Sequence, residues 1–397
     1  MEKHFKLLLS INDLYSASGG PSKAFISLAS HLTYKGIDLR LISKNLSNID
    51  TIYQNLSHLF LQYKPELKIS FRNFIIENQL AKILENIDFQ YPETVVHDHG
   101  IWLPSNNTIC SFARKKRLKL LISPHGTLDR WSFNQKKLKK NLVWNLYEKN
   151  NLNNADVLHA CSEKEADNFL RKKIKVPIAI IPNGSLEPTN RELFGEFSLN
   201  SLGIKNTSVK NLLFVGRIHP VKGLQNLIFA VKNTLLTKKD WRLIIAGYSD
   251  NNYRNKLKKI IFENSLEEKV LLLGAVSGDE LINLYRNSKF FVLPSFSENF
   301  GIVVSEALTF GLPVITTHGT PWAIIEEKNC GWVIEPTIND ISMAIKNAIN
   351  LSEEEYNQKS LNAKNLSKEY SWKEISESFI NLYLWMLGHE NKPKCII

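Results

Sequence analysis

The 397-residue chain is predicted to fold as α/β, with two doubly wound parallel-sheet domains, and three features lead there. Short apolar, β-branched runs alternate with longer helical patterns along nearly the whole length, as right-handed βαβ units require when their strands are buried on both faces. Eleven such runs are more than one open sheet holds comfortably. Between Asn183 and Val209 the alternation breaks into Gly, Pro, Asn and Ser, which marks a domain boundary.

In order, the strands of the first half are read at FKLLLSI, IDLRLIS, TVVHDH, KLLISPH, DVLHAC and IAIIPN. Those of the second half are NLLFVG, WRLIIAG, KVLLLG, KFFVLPS and LPVITT. The domains are drawn at residues 1–188 and 189–370, each of a size one core supports. Residues 371–397 hold a last helix in which Trp372, Ile375, Phe379, Leu382 and Met386 recur at spacings of three and four. That stripe must pack on something, either the second domain or the first.

Composition bounds the class of function. With 43% hydrophobic and 22% charged residues the chain is a soluble globular protein, neither fibrous nor of low complexity. Cys110, Cys161, Cys330 and Cys395 are scattered without a C-x-x-C pair, so they read as free thiols of a reducing cytosol and not as a zinc site. No apolar run reaches the roughly 18 residues of a membrane span, and MEKHFKLLLSIN reads as a first strand, not a secretory signal.

The net charge of +11 is uneven. Residues 1–188 hold 26 Lys and Arg against 17 Asp and Glu, a net +9; the remainder holds 24 against 22, a net +2. RKKRLK (114–119), KKLKK (136–140) and RKKIK (171–175) are either solvated helix faces or a surface for anionic lipid, an acidic acceptor or nucleic acid. The runs lack interleaved aromatics and belong to no recognised nucleic-acid module, which sets nucleic acid aside.

Doubly wound sheets bind ligands outside the carboxyl ends of their strands, so motifs at strand ends carry the weight. SASGGPSKAF (16–25) follows the first strand; Gly19 and Gly20 allow either close approach of an anion to a helix N-terminus or an ordinary tight turn, and G-x-G-x-x-G is absent. FVGRIHPVKGL (214–224) stands in the matching place of the second domain. There Arg217 and Lys222 flank a turn and suit a departing diphosphate, or else are two surface cations.

No two aspartates stand two apart, so no D-x-D arrangement holds a metal on a nucleotide diphosphate. SPHGTLD (123–129) puts His125 at a strand end, and HDHG (97–100) puts His97, Asp98 and His99 at the end of the neighbouring strand. His97 and His99 share one strand face. They are a conceivable metal pair without further ligands, acceptor contacts, or structural hydrogen bonders. In PSFSENFGIVVSEAL (294–308), Glu298 precedes a helix start at Asn299–Ile302 and Glu306 lies on that helix. A carboxylate accepts two hydroxyl hydrogen bonds side by side, which suits a ribose or sugar diol.

In this order, SGG, HG, GRIHPVKG and the E-x7-E pair Glu298 and Glu306 resemble the retaining group 1 glycosyltransferases called family four, over nearly the full chain. The resemblance implies a GT-B fold, two Rossmann-like domains facing across a cleft with the C-terminal helix crossing back to the first. It implies that His125 bonds the transferred sugar, that Arg217 and Lys222 hold the diphosphate, and that Glu298 binds sugar hydroxyls near the reacting carbon. Gly19 and Gly20 close on donor phosphates and acceptor, Asn299, Phe300 and Gly301 touch sugar and phosphate, and Glu306 binds the ribose. His97, Asp98 and His99 lie toward the acceptor.

No metal and no cofactor are expected, since the nucleotide sugar is the substrate. HDHGIW and PHGTLDRW further resemble members that build O-antigen, capsule or lipopolysaccharide, which implies a lipid-linked saccharide or glycan acceptor. It also implies a cytoplasmic enzyme docked on the anionic inner face of the membrane through its basic first domain. The alternative within the same fold is a nucleotide-sugar epimerase.

Overall fold

The computed structural model describes residues 5–14, 20–45, 56–70, 74–87, 93–185, 199–202, 204, 208–249 and 251–397. Two compact units divide the chain, one of residues 1–184 with 372–397 and one of residues 185–371.

The strands of the first unit are β1 (Lys6–Asp13), β2 (Asp38–Asn45), β3 (Phe60–Gln62), β4 (Leu67–Ser70), β5 (Phe74–Glu77), β6 (Thr94–His99), β7 (Lys119–Ser123), β8 (Val157–Ala160) and β9 (Ile178–Ile180). Seven of them form one sheet in the order β3-β2-β1-β6-β7-β8-β9, every neighbouring pair parallel. β4 and β5 form a separate antiparallel pair. β1 and β6 show why these segments are strands buried on both faces: Leu7, Leu8, Leu9, Val95 and Val96 are all buried.

The second unit holds β10 (Lys210–Val215), β11 (Trp241–Ala246), β12 (Val270–Leu272), β13 (Phe290–Leu293), β14 (Val314–Thr317) and β15 (Gly331–Ile334). They form one parallel sheet in the order β12-β11-β10-β13-β14-β15. In both sheets the chain runs outward from one strand and then restarts on its other side. The order therefore reverses between β1 and β6 in one unit and between β10 and β13 in the other, and ligands of such sheets bind at that reversal.

The C-terminal helix, Trp372–Leu387, belongs to the first unit, and all five residues of its stripe are buried. Trp372 stacks near His31, and a Cβ on Gly184 would meet its ring at 2.3 Å. The last residues then lie antiparallel along β9, where Ile180 N donates to Cys395 O and Ile397 N to Ile178 O. β3, β4, β5 and β15 are strands that hydrophobic pattern does not announce. Each is three or four residues long and lies at a sheet edge, as β3 and β15 do, or outside both main sheets, as β4 and β5 do; β15 alternates buried and half-buried residues.

Candidate active site

In the second unit the site grows from the exits of β10 and β13. β10 is followed by Gly216, against which Gly247 packs so closely that a Cβ on it would meet Gly216 O at 1.8 Å. After the exposed Arg217, His219 Nδ1 accepts from Val221 N, and Pro220–Lys222 make one 3-10 turn. Gly223 then takes a left-handed φ of +68° to start the helix Leu224–Leu235, and a Cβ there would meet Pro294 O at 2.1 Å. Phe296 N also donates to Val221 O at 2.8 Å. The two loops are thereby tied together at the order reversal.

That joining brings two separately predicted residues into contact. Lys222 Nζ forms an ion pair with Glu298 Oε1, and their side chains are only 14% and 11% exposed. Ser295 Oγ donates to the same oxygen at 2.6 Å, and Glu298 N donates to Gly319 O at 3.0 Å. The Glu298 carboxylate is thus held at a fixed place by a cation, a hydroxyl and its own backbone.

Beyond it, Asn299 is half-buried, Phe300 packs its ring at 5.1 Å from that of Trp322, and Trp322 Nε1 donates to Phe300 O at 2.5 Å. Gly301, at φ +80°, caps the helix Ile302–Thr309. Glu306, read as the ribose ligand, lies within that helix. It is 1% exposed and accepts from Tyr285 Oη at 2.7 Å, because position 306 falls on the inner face of this short helix.

In the first unit, β6 and β7 carry the other predicted residues. His97, Asp98 and His99, read as acceptor contacts or structural hydrogen bonders, are all buried. Asp98 accepts from Ser10 Oγ at 2.6 Å and Asn106 Nδ2 at 2.9 Å, and burial pushes its carboxyl up to about 6. The rings of His97 and His99 lie 4.0 Å apart on one strand face.

The tautomers in this cluster follow from one carbonyl. His159 Nε2 faces Ile181 O at 2.8 Å and must donate, so His159 Nδ1 is bare and accepts from Ser123 Oγ at 2.7 Å. Ser123 Oγ then accepts from His97 Nε2 at 2.7 Å, and His97 Nδ1 accepts from Tyr383 Oη at 2.8 Å. A directed chain of four hydrogen bonds therefore runs from the C-terminal helix through the ends of β6, β7 and β8. Burial holds His97 well below the usual imidazole range and brings His159 down to about 4, so each ring is neutral.

His125 is half-buried after β7, at a left-handed φ of +53°, and Gly126 follows at +74°. Glu165, buried in the helix Glu163–Arg171, accepts from Gly126 N at 2.5 Å and from Cys161 N at 2.8 Å, which fixes this turn. A similar device holds Trp102, at φ +83°: its N–H donates to buried Glu148 at 2.7 Å and its carbonyl accepts from Tyr147 Oη at 2.9 Å. Gly20 begins the helix Gly20–Tyr34 after β1, while Gly19 lies outside the described residues.

Glu165, Glu148, Ser123, His159, Ser295, Tyr285 and Tyr383 escaped sequence reasoning. Only Glu165 left a signal, as the last residue of an S-x-x-E helix start at 162–165. Among the described residues no group of three or more His, Cys, Asp and Glu could hold a metal ion, and no helix is long and apolar enough to cross a membrane.

Residues 18–185 match the family model described as Glycosyltransferase Family 4, and residues 201–366 match Glycosyl transferases group 1. The chain belongs to the group 1, family-four glycosyltransferases.

This glycosyltransferase is 33% identical over 187 residues to an uncharacterized glycosyltransferase of Methanocaldococcus jannaschii, which covers 46% of either chain. It is 28% identical over 184 residues to the GDP-mannose:cellobiosyl-diphosphopolyprenol alpha-mannosyltransferase of Xanthomonas oryzae pv. oryzae, covering 46% of this chain and 48% of that relative. The chain thus spans about half the length of these two curated relatives. Among solved structures, Anabaena HepE in complex with UDP-glucose superposes with a TM-score of 0.71 at 18% identity, over 96% of this chain and all of that one. The fold of this glycosyltransferase is GT-B.

Proposed function

We propose that this glycosyltransferase moves a hexose from a nucleotide-sugar donor to a lipid-linked saccharide or glycan, with retention at the anomeric carbon, in the building of a cell-envelope polysaccharide. The observation that carries this reading is the Lys222–Glu298 pair at the reversal between β10 and β13. A cation beside a rigid carboxylate suits the two halves of a sugar nucleotide: Lys222, with Arg217, neutralises the diphosphate, and Glu298 accepts hydroxyl hydrogen bonds from the sugar. Asn299, Phe300 and Gly301 offer backbone groups beside it, and Gly19 and Gly20 are read as the loop over the phosphates.

His125 is read as a hydrogen-bonding partner of the transferred sugar. Glu306 serves the ribose only through its buried, Tyr285-held carboxylate. In the reaction the bond from the anomeric carbon to the diphosphate oxygen breaks and a bond to the acceptor oxygen forms. The acceptor proton passes to the departing diphosphate, and no metal takes part.

The acceptor class is supported by charge, by one relative and by one helix. The Xanthomonas relative is named for a diphosphopolyprenol acceptor. In this chain the helix Lys137–Val143 has no buried residue; Leu138 and Leu142, one turn apart, are 86% and 61% exposed, between Lys136, Lys137, Lys139 and Lys140. Exposed leucines ringed by lysines fit the interface of an anionic membrane.

The test is a panel of nucleotide sugars assayed for thermal stabilisation and for release of nucleotide diphosphate. One donor should stabilise the protein by about 2.7 kcal/mol at about 100 times its Kd. Release should require a glycan or lipid-linked acceptor and survive EDTA. Conversion of the donor to an isomer without acceptor would instead make the protein an epimerase.

A further inference from the structure

We propose that His99 is a positioning residue that fixes the proton of His125 on Nδ1, so that His125 meets its ligand as a neutral hydrogen-bond donor. His99 Nδ1 and His125 Nε2 lie 2.9 Å apart, and two neutral imidazoles in contact share one proton. Which ring supplies it is decided at the far side of His99. If His125 donated, His99 would carry its own proton on Nε2, and among the described residues that buried atom has no partner. An orphaned buried N–H is rarer in proteins than an unsatisfied acceptor. The proton therefore sits on His99 Nδ1 and points at His125.

The ring of His99 is held for this task. It is 4% exposed, lies 4.0 Å from the ring of His97 and meets Phe25 edge-on at 5.1 Å. His97 is itself tied by Tyr383 and Ser123. On the other side, the left-handed turn at His125 and Gly126 is tied to Glu165. Burial and the neighbouring imidazoles hold His99 and His125 well below the ordinary imidazole range, so neither ring takes up a second proton near neutrality.

With Nε2 occupied, His125 cannot act there as a base. What remains is Nδ1–H, a donor for a hydroxyl or phosphate oxygen. This deepens the reading of His125 as a sugar-facing group and rests on it for its ligand, but not for its tautomer.

The experiment is two-bond 15N–1H correlation on histidine-labelled protein, with the His125 signals identified by their loss in His125→Gln. In the wild type His125 should be protonated on Nδ1 alone. His99→Leu should release the ring, moving the proton wholly or partly to Nε2. His99→Asn, whose amide can donate from the place of Nδ1, should restore the wild-type pattern. A wild-type His125 protonated on Nε2 overturns the proposal, as does a pattern unchanged in His99→Leu. Should the leucine variant not fold, the wild-type spectrum and the asparagine variant still decide.

None of these measurements needs a substrate, so they fail independently of the transfer reaction. With the donor found by the panel, His99→Leu should lower kcat about tenfold or more at little-changed KM, and His99→Asn should recover most of it. Unchanged kcat in the leucine variant would overturn the link from tautomer to turnover.

Discussion

Glu298 illustrates how much one side chain depends on neighbours distant in sequence. Its proposed role toward a sugar came with the E-x7-E pattern of the family resemblance, but its pairing with Lys222 and Ser295 could not be read from sequence. Glu298→Ala should leave the fold intact and lower kcat by roughly 10²-fold or more, the scale of losing a group that stabilises developing charge. Near-normal turnover in that variant would remove Glu298 from the site. Lys222→Ala should lose as much activity and also stability, by about 1–3 kcal/mol, because it leaves a nearly buried carboxylate short of its cation. Glu298→Gln in the Lys222→Ala background should recover part of that stability in a urea titration.

At the scale of elements, two loops and one helix carry the argument. The loop after β10 reaches the loop after β13 only because Gly223 has no side chain where Pro294 O stands at 2.1 Å from an added Cβ. Gly223→Ala should therefore cost at least about 2 kcal/mol, from left-handed strain and the clash together, and should weaken donor binding in the same variant. Wild-type stability there would mean the two loops are not joined in solution.

The helix Lys137–Val143 makes the complementary prediction. The protein should co-sediment with anionic but not neutral vesicles, less so as salt rises, since each lysine near such a surface contributes about 1 kcal/mol. Changing Lys136, Lys137, Lys139 and Lys140 to Glu should abolish this, and Leu138→Ser with Leu142→Ser should weaken it at unchanged charge. Equal sedimentation of all three proteins would return the helix to an ordinary solvated surface.

For the molecule as a whole, the buried titratable groups of the first unit set a pH profile. His97, His99, His125 and His159 all have folded values below the ordinary imidazole value. Below about pH 6.5 the unfolded chain binds protons that the folded rings refuse, so stability falls as pH drops from there. Asp98 and Glu148 act oppositely. Burial raises them to about 6 and about 8, so the folded state keeps protons that the unfolded chain has released, and stability rises as pH falls through about 8 for Glu148 and through about 6 for Asp98.

Between about pH 6 and 4.5 the four histidines outnumber the two acids, a net slope of roughly 2–3 kcal/mol per pH unit. Thermal unfolding should therefore peak at about pH 7 and fall on both sides. A Tm that stays level down to pH 4.5 would contradict the neutral histidine cluster.

Eleven of the strands were legible because a strand buried on both faces must be a continuous apolar run, and such runs between helices admit few folds. The motifs were legible for a related reason: His125, Arg217 and Glu298 follow strand ends, while Gly20 opens a helix and Lys222 stands just before one, positions that sequence alone marks; Glu306, inside its helix, was read from the E-x7-E pattern. β3, β4, β5 and β15 escaped because they stand at a sheet edge or outside both main sheets, where a strand need not be a continuous apolar run. Accessibility was the larger gap. His97, Asp98, His99 and Glu306 are residue types that ordinarily seek water, yet all four are buried.

What admits them to the interior is a set of partners 8 to 286 positions away: Asn106 and Ser10 for Asp98, Ser123 and Tyr383 for His97, Tyr285 for Glu306. Local sequence determines periodicity, turn chemistry and charge, and these chose the fold and the strand ends of this protein. Only tertiary structure decides which polar groups satisfy one another, because a buried hydrogen bond is made between elements that the chain itself keeps far apart.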